Sequence, residues 1–140
     1  METTTKVTVE TTVNAPVQKI WEYWNQPEHI TQWGAASDDW HTSHAQNDLR
    51  AGGAFNYRME ARDGSMGFDF EGKYDDVAEH KHISYTMGDG RTVNIDFTGE
   101  GDTTRIVETF DAETENPVDM QRDGWQAILN NFKKHAEAQQ

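Results

Sequence analysis

Apolar and polar residues alternate at Val7, Val9, Thr11 and Val13, which predicts a first strand. Asn14-Ala15-Pro16 ends the alternation, and Val17, Ile20, Trp21 and Trp24 then recur at i, i+3, i+4 and i+7, one stripe of a helix. Asn14 suits the N-cap of that helix and Pro16 its first turn, where a missing N–H costs nothing. A second short helix is predicted from Pro27 to Trp33, with Ile30 and Trp33 inward. From about Trp40 the period changes to two. A short strand lies within Asp38 to Leu49, and Ala51-Gly52-Gly53 turns the chain. Phe55, Tyr57, Met59 and Ala61 then share one face, and Asp63-Gly64 marks a hairpin. Phe68, Phe70, Gly72 and Tyr74 follow on one face. Ile83, Tyr85 and Met87, then Val93, Ile95 and Phe97, and last Ile106, Glu108 and Phe110 repeat the pattern.

The links between these later strands are short, so the strands are expected to form an antiparallel meander, because parallel pairs need long crossovers. Polar alternates give the sheet one wet face, and the other needs a cover. Pro117 to about Ala138 supplies it: Val118, Trp125, Ile128, Leu129, Phe132 and Ala136 fall on one helical stripe. The expected fold is α+β, in the order strand, two short helices, about six strands and one long helix. One domain over residues 1–140 is expected.

Composition sharpens the core. The chain holds two leucines, Leu49 and Leu129, against fifteen aromatic residues. Its interior must therefore be built of rings with Val, Ile and Met. The rings Phe55, Tyr57, Phe68, Phe70, Tyr85, Phe97, Phe110, Trp125 and Phe132 fall in inward register, and they either close a solid core or stop short and leave a pocket. The absence of cysteine excludes disulfides, thiol nucleophiles and thiolate metal sites. A net charge of −13, with no basic run longer than Lys133-Lys134, argues against nucleic acid and anionic membranes as partners. No apolar run reaches the roughly 20 residues of a membrane span, so no membrane insertion is expected. Met1-Glu2-Thr3-Thr4-Thr5 lacks the segments of an export signal, and the cytoplasm is the expected compartment.

The segments NAPVQKIWEYW (14–24), GGAFNYRM (52–59) followed by an Asp-Gly turn, FEGKYDDV (70–77), TRIVETF (104–110) and Gly124-Trp125 occur in this order. Together they resemble the helix-grip fold of the START and birch-pollen-allergen (SRPBCC) superfamily. More narrowly they resemble the bacterial homologues of the activator of the heat-shock-protein-90 ATPase. The resemblance implies a curved antiparallel sheet of about seven strands gripping the long C-terminal helix. It also implies a cavity between them of the kind that holds lipids, sterols, polyketides or flavonoid-like molecules in other members. Some members are cyclases or dehydratases, and the eukaryotic activators use such a domain as a co-chaperone module. A histidine that often precedes the Gly-Trp tryptophan by four residues is replaced here by Gln121, so any role tied to it does not transfer.

The expected ligand contacts are Trp33, Phe55, Tyr57, Met59, Phe68, Phe70, Tyr85, Met87, Ile95, Phe97, Glu108, Phe110, Trp125, Leu129 and Phe132. Glu108, the one catalytic candidate, interrupts an apolar register. It either faces inward, desolvated, with a raised pKa, or yields its place to Val107 at a bulge, or pairs with an arginine. Gly124 in the last helix either lets helix and sheet approach closely or serves simple packing. Trp33 and Trp40 flank a small acidic loop; Trp33 either lines a pocket mouth or anchors the helices, and Trp40 begins a strand. His41 with His44, and His80 with His82, are read as surface pairs. No metal and no cofactor is expected. The preferred reading is a carrier or sensor of a small hydrophobic molecule, acting as a monomer or weak homodimer. The alternatives are a cyclase, dehydratase or hydrolase using Glu108 and a tyrosine, or a module that contacts a chaperone.

Overall fold

The first alternation becomes β1 (Lys6–Val13), which buries Val7, Val9 and Val13 and turns Thr8 and Glu10 to solvent. The computed structural model describes residues 5–35 and 39–139. Helices α1 (Val17–Asn25) and α2 (Pro27–Trp33) follow, separated by Gln26 alone. Asn14 does not cap α1. Pro16 is the capping residue, extended at φ −68°, and its carbonyl accepts from the N–H groups of Lys19 and Ile20 at 3.0 and 3.1 Å. Asn14 therefore lies too far upstream, and its own N–H donates to Glu137 Oε2 at 2.9 Å. The Asn25 amide instead donates back to the Trp21 carbonyl at 2.9 Å, at the end of α1.

Six further strands form the meander: β2 (Trp40–Asn47), β3 (Ala54–Ala61), β4 (Gly67–Ala78), β5 (His82–Met87), β6 (Thr92–Glu100) and β7 (Thr103–Asp111). All pairings are antiparallel, in the order β1-β7-β6-β5-β4-β3-β2. The meander thus runs through consecutive neighbours, and β1 adds to its far edge beside β7. Register shifts in β2 between Thr42 and His44, and across the β4–β5 pair between Tyr74 and Asp76, add local twist that helps the sheet curve. Glu108 stands opposite Val9 and Ile95 and shares the inward face with Ile106 and Phe110. The strand keeps its register there, so Val107 does not take the inward place.

The last helix, α3 (Val118–Ala138), spans roughly 30 Å at 1.5 Å per residue. Leu129, Phe132 and Ala136 are buried on its sheet-facing stripe. Val118 is exposed, contrary to the stripe read from sequence: it is the first residue of α3, directly after the capping Pro117, and burial begins a turn later at Gln121. Side chains of α3 also tie down β1: Gln126 Nε2 donates to the Glu10 carbonyl at 3.1 Å and Lys133 Nζ to that of Thr12 at 2.6 Å. The rings of Trp24, Trp33 and Phe132 meet at centroid separations of 4.8 to 5.1 Å, locking α1 and α2 to α3. The result is an α+β helix-grip fold, a curved antiparallel sheet of seven strands closed on a long C-terminal helix.

Candidate functional site

Rings on adjacent strands cannot all reach α3, because the helix axis lies nearer one edge of the curved sheet. The space left over is a cavity of about 330 Å³. Of the expected contacts, Trp33, Phe55, Tyr57, Met59, Phe68, Phe70, Tyr85, Ile95, Glu108, Trp125 and Leu129 line it. Met87, Phe97, Phe110 and Phe132 do not. Phe97 sits edge-on to Trp21 and Trp24, and Phe132 to Trp24 and Trp33, so both pack behind the lining tryptophans rather than in the cavity wall. Phe110 backs the wall instead: its ring stacks on Trp125 at 4.0 Å and 9°. Met87 is buried at the end of β5 without reaching the space. Phe68 is half exposed and touches the Trp40 ring at 5.9 Å, so it stands at the rim. Trp40 begins β2 as expected, and of the loop between Trp33 and Trp40 residues 36–38 lie outside the described residues.

Phe55 organises the ring wall. Its centroid lies 5.2 Å from Tyr57, 5.3 Å from Tyr74 and 4.7 Å from Tyr85. Gly72, opposite it on β4, makes room: a Cβ there would come within 2.6 Å of the Thr86 carbonyl and 3.0 Å of the Phe55 ring. Gly124 is different. A Cβ at that position would meet nothing, so neither close approach to the sheet nor tight packing explains it.

Several lining residues escaped the sequence reading. Tyr74 and Ile83 were in inward register and needed only the curvature of the sheet to be placed at the cavity. Arg91, Glu113, Asn116 and Gln121 come from turns or a helix start, where periodicity carries no signal. Gln121 is the clearest of these. Buried in the first turns of α3, it accepts from the Glu113 N–H at 2.8 Å and donates to the carbonyls of Glu113 and Asn116 at 3.1 and 2.8 Å. The amide thus supplies both donor and acceptor to fix the segment that enters α3.

The electrostatics of the cavity are dominated by burial. Burial pushes the hydroxyls of Tyr57 and Tyr85 well up, and that of Tyr74 to about 12, so all three stay protonated. Tyr74 donates to Asn47 Oδ1 and is hydrogen-bonded to Tyr57. Glu108 is 6% exposed, and burial pushes its pKa up to about 8. Among the described residues its carboxyl has no hydrogen-bond or ion-pair partner, so the arginine pairing expected as an alternative does not occur. Arg91, the lining cation, is held by Asp89 through Nε–Oδ2 at 2.7 Å. No group of three metal-ligating side chains occurs among the described residues. His82 pairs with Asp96 at 2.7 Å and His80 approaches Glu79 at 3.5 Å, while His44 is exposed. A pair that spacing did not suggest does form: His29 Nδ1 of α2 lies 2.9 Å from His135 Nε2 of α3.

An apolar space with a ring wall, three buried hydroxyls and one unpaired acid is chemically suited to enclosing a small organic molecule. The sheet, the gripped helix and this space define a helix-grip protein with an internal cavity. Residues 14–137 match the family model described as "Activator of Hsp90 ATPase homolog 1-like protein", and the chain belongs to that family. The solution structure of an AHSA1-like protein from Aeromonas hydrophila is similar, at 43% identity and a TM-score of 0.91, covering 96% of this chain and 94% of that one. A Cytophaga hutchinsonii protein solved in solution shares 57% identity at a TM-score of 0.82, covering 96% and 93%. A Nitrosomonas europaea protein at 19% identity, with a TM-score of 0.83 and 96% of each chain covered, shares the fold. No curated protein matches the chain. No helix among the described residues is long and apolar enough to cross a membrane.

Proposed function

We propose that the chain binds a small hydrophobic molecule, aromatic or lipid-like, in the space beneath α3, as a carrier or sensor. The cavity of about 330 Å³ with its ring wall carries this reading. Mostly apolar walls with a few placed polar groups are the usual make-up of a small-molecule site, and such sites run from roughly 300 to 1,000 Å³. A volume at the low end favours a ligand of a few rings, or one short chain, over a whole phospholipid. Tilted, edge and stacked contacts hold the wall rings against one another and against Phe110 behind them, so little ordering is left for binding to cost.

Trp24, Trp33 and Trp125 line the space, so a ligand entering it changes tryptophan emission. Titration with flavonoids, fatty acids and sterols is expected to give a saturable change for at least one class. That ligand should also raise the melting temperature, since a ligand at 100 times its Kd stabilises by about 2.7 kcal/mol. Silence across all three classes, in both readouts, would overturn the proposal. The enzyme reading has less support, because Glu108 faces the cavity without a hydrogen-bonded partner among the described residues. Contact with a chaperone rests on the family description alone, which is analogy at the level of fold.

A further inference from the structure

Glu108 is costly where it stands. Val9 and Ile95 flank it across the sheet, and Ile106 and Phe110 flank it along β7. A valine or isoleucine at this position would complete the inward face. Instead the chain places there a carboxyl that is 6% exposed, lines the cavity and, among the described residues, has no partner. Among the described residues nothing pairs with it, so a partner for its carboxyl can come only from what occupies the cavity.

The surroundings select the sign of that occupant. Arg91 is engaged by Asp89 at 2.7 Å, and its own backbone N–H donates to the same carboxylate at 3.1 Å. The other charged lining residue, Glu113, is acidic. Ring faces are electron-rich and attract cations, and Tyr85, Phe70 and Trp125 line the same cavity as Glu108. A chain of net charge −13 also concentrates cations near its surface. We propose that the preferred ligand is a small aromatic amine, its ammonium group held by Glu108 and its ring system lying against the aromatic wall. This rests on the cavity being a ligand site.

Proton balance makes the proposal distinctive. Near neutral pH Glu108 carries its proton, because burial raises its pKa to about 8. When an ammonium ion binds, the carboxyl loses that proton to solvent and an ion pair forms, with one proton released per ligand bound. Affinity therefore rises with pH toward 8, then falls as the free amine loses its own proton near pH 10, as a lysine does. The other groups around Glu108 do not imitate this. Tyr57 on β3, Tyr74 on β4 and Tyr85 on β5 stay protonated, while Arg91 is engaged by Asp89 and Glu113 accepts from Asn116. Val9 of β1 and Ile95 of β6 carry no charge, and neither do Gln121, Trp125, Ile128 and Leu129 of α3.

Calorimetry with tryptamine and its neutral isostere tryptophol, in buffers of different ionisation enthalpy, tests this on the full chain. Tryptamine is expected to bind about tenfold or more tighter than tryptophol at pH 8, with about one proton released at pH 7. Glu108→Gln should erase that preference and the proton release while leaving tryptophol within about twofold. If tryptophol binds as well as tryptamine and no proton is released by the wild-type protein, the amine proposal is overturned and the cavity reading stands. If neither compound nor any ligand of the fluorescence panel binds, both fall. The proton count on the wild-type protein decides even if Glu108→Gln folds poorly.

Discussion

At the scale of single residues, Glu108 has a consequence for stability that needs no ligand. Its folded pKa is about 8 against an ordinary value near 4.5. Between those values the folded protein holds a proton that the unfolded chain has released. Stability is therefore greatest below about pH 4.5 with respect to this group, falls as pH rises through the window, and stays reduced above 8. The loss is on the order of a few kcal/mol for so complete a burial. Glu108→Gln, which keeps the shape of the protonated acid, is expected to melt higher than the wild-type protein at pH 9, with the two converging near pH 5. Thermal melts across that range check it, and parallel profiles would show that the carboxyl is solvated. The sequence pointed to this residue because an acid broke an apolar alternation between Ile106 and Phe110. It could not show whether Arg91 would reach the acid, since Asp89 captures that arginine within a turn, by a local geometry that has no periodicity.

At the scale of elements, periodicity sufficed for the strands and helices, because each presents one face to a common core. It failed where an end is set by its cap rather than its stripe, as with Pro16 in place of Asn14 at α1 and the exposed Val118 at the start of α3. It also had no means of seeing contacts between helices. The contact of His29 on α2 with His135 in the last turn of α3 is the main example. At 2.9 Å one nitrogen must carry a hydrogen and the other must be bare, and the Tyr23 ring lies 4.9 Å from His29 and 6.2 Å from His135. Burial, and then the charge of His29, lower the pKa of His135. For a base whose folded pKa is depressed, the unfolded chain takes the proton first as pH falls. The contact's contribution is therefore present above the unfolded value of about 6.5 and is lost as pH drops below it. The melting temperature of His135→Gln relative to the wild-type protein is therefore expected to rise as pH is lowered from 7.5 to 5.5. Glu108 acts equally in both proteins and cancels from the comparison. A constant difference between the two proteins across that range would mean that the two rings do not share a proton.

At the scale of the whole molecule, the same composition that leaves the cavity also sets how the chain responds to salt. Rigid rings interlock on one side of the cavity, where Phe132 packs behind the lining Trp24 and Trp33, and stop short of filling it, in a chain with almost no leucine to pack between them. The sequence showed that shortage but not its location, since which strands lie under α3 depends on β1 adding beside β7 and on the curvature of the meander. Such a partly filled core must hold together against 25 acidic side chains opposed by 12 basic ones. Close pairs such as Lys6–Asp111 at 2.6 Å and Arg105–Glu10 at 3.0 Å act over a few ångströms, whereas the surplus of acids repels across the entire surface. Raising the ionic strength from ~0.01 M to ~0.15 M shortens the screening length from about 30 Å to about 8 Å. That removes the long-range repulsion while leaving the contact pairs largely intact, because they are much closer than 8 Å. The melting temperature is therefore expected to rise on adding sodium chloride over this range at pH 7 and to level off beyond it. Scanning calorimetry at fixed protein concentration measures the trend, and a fall in melting temperature with salt would mean that the surface pairs outweigh the net charge.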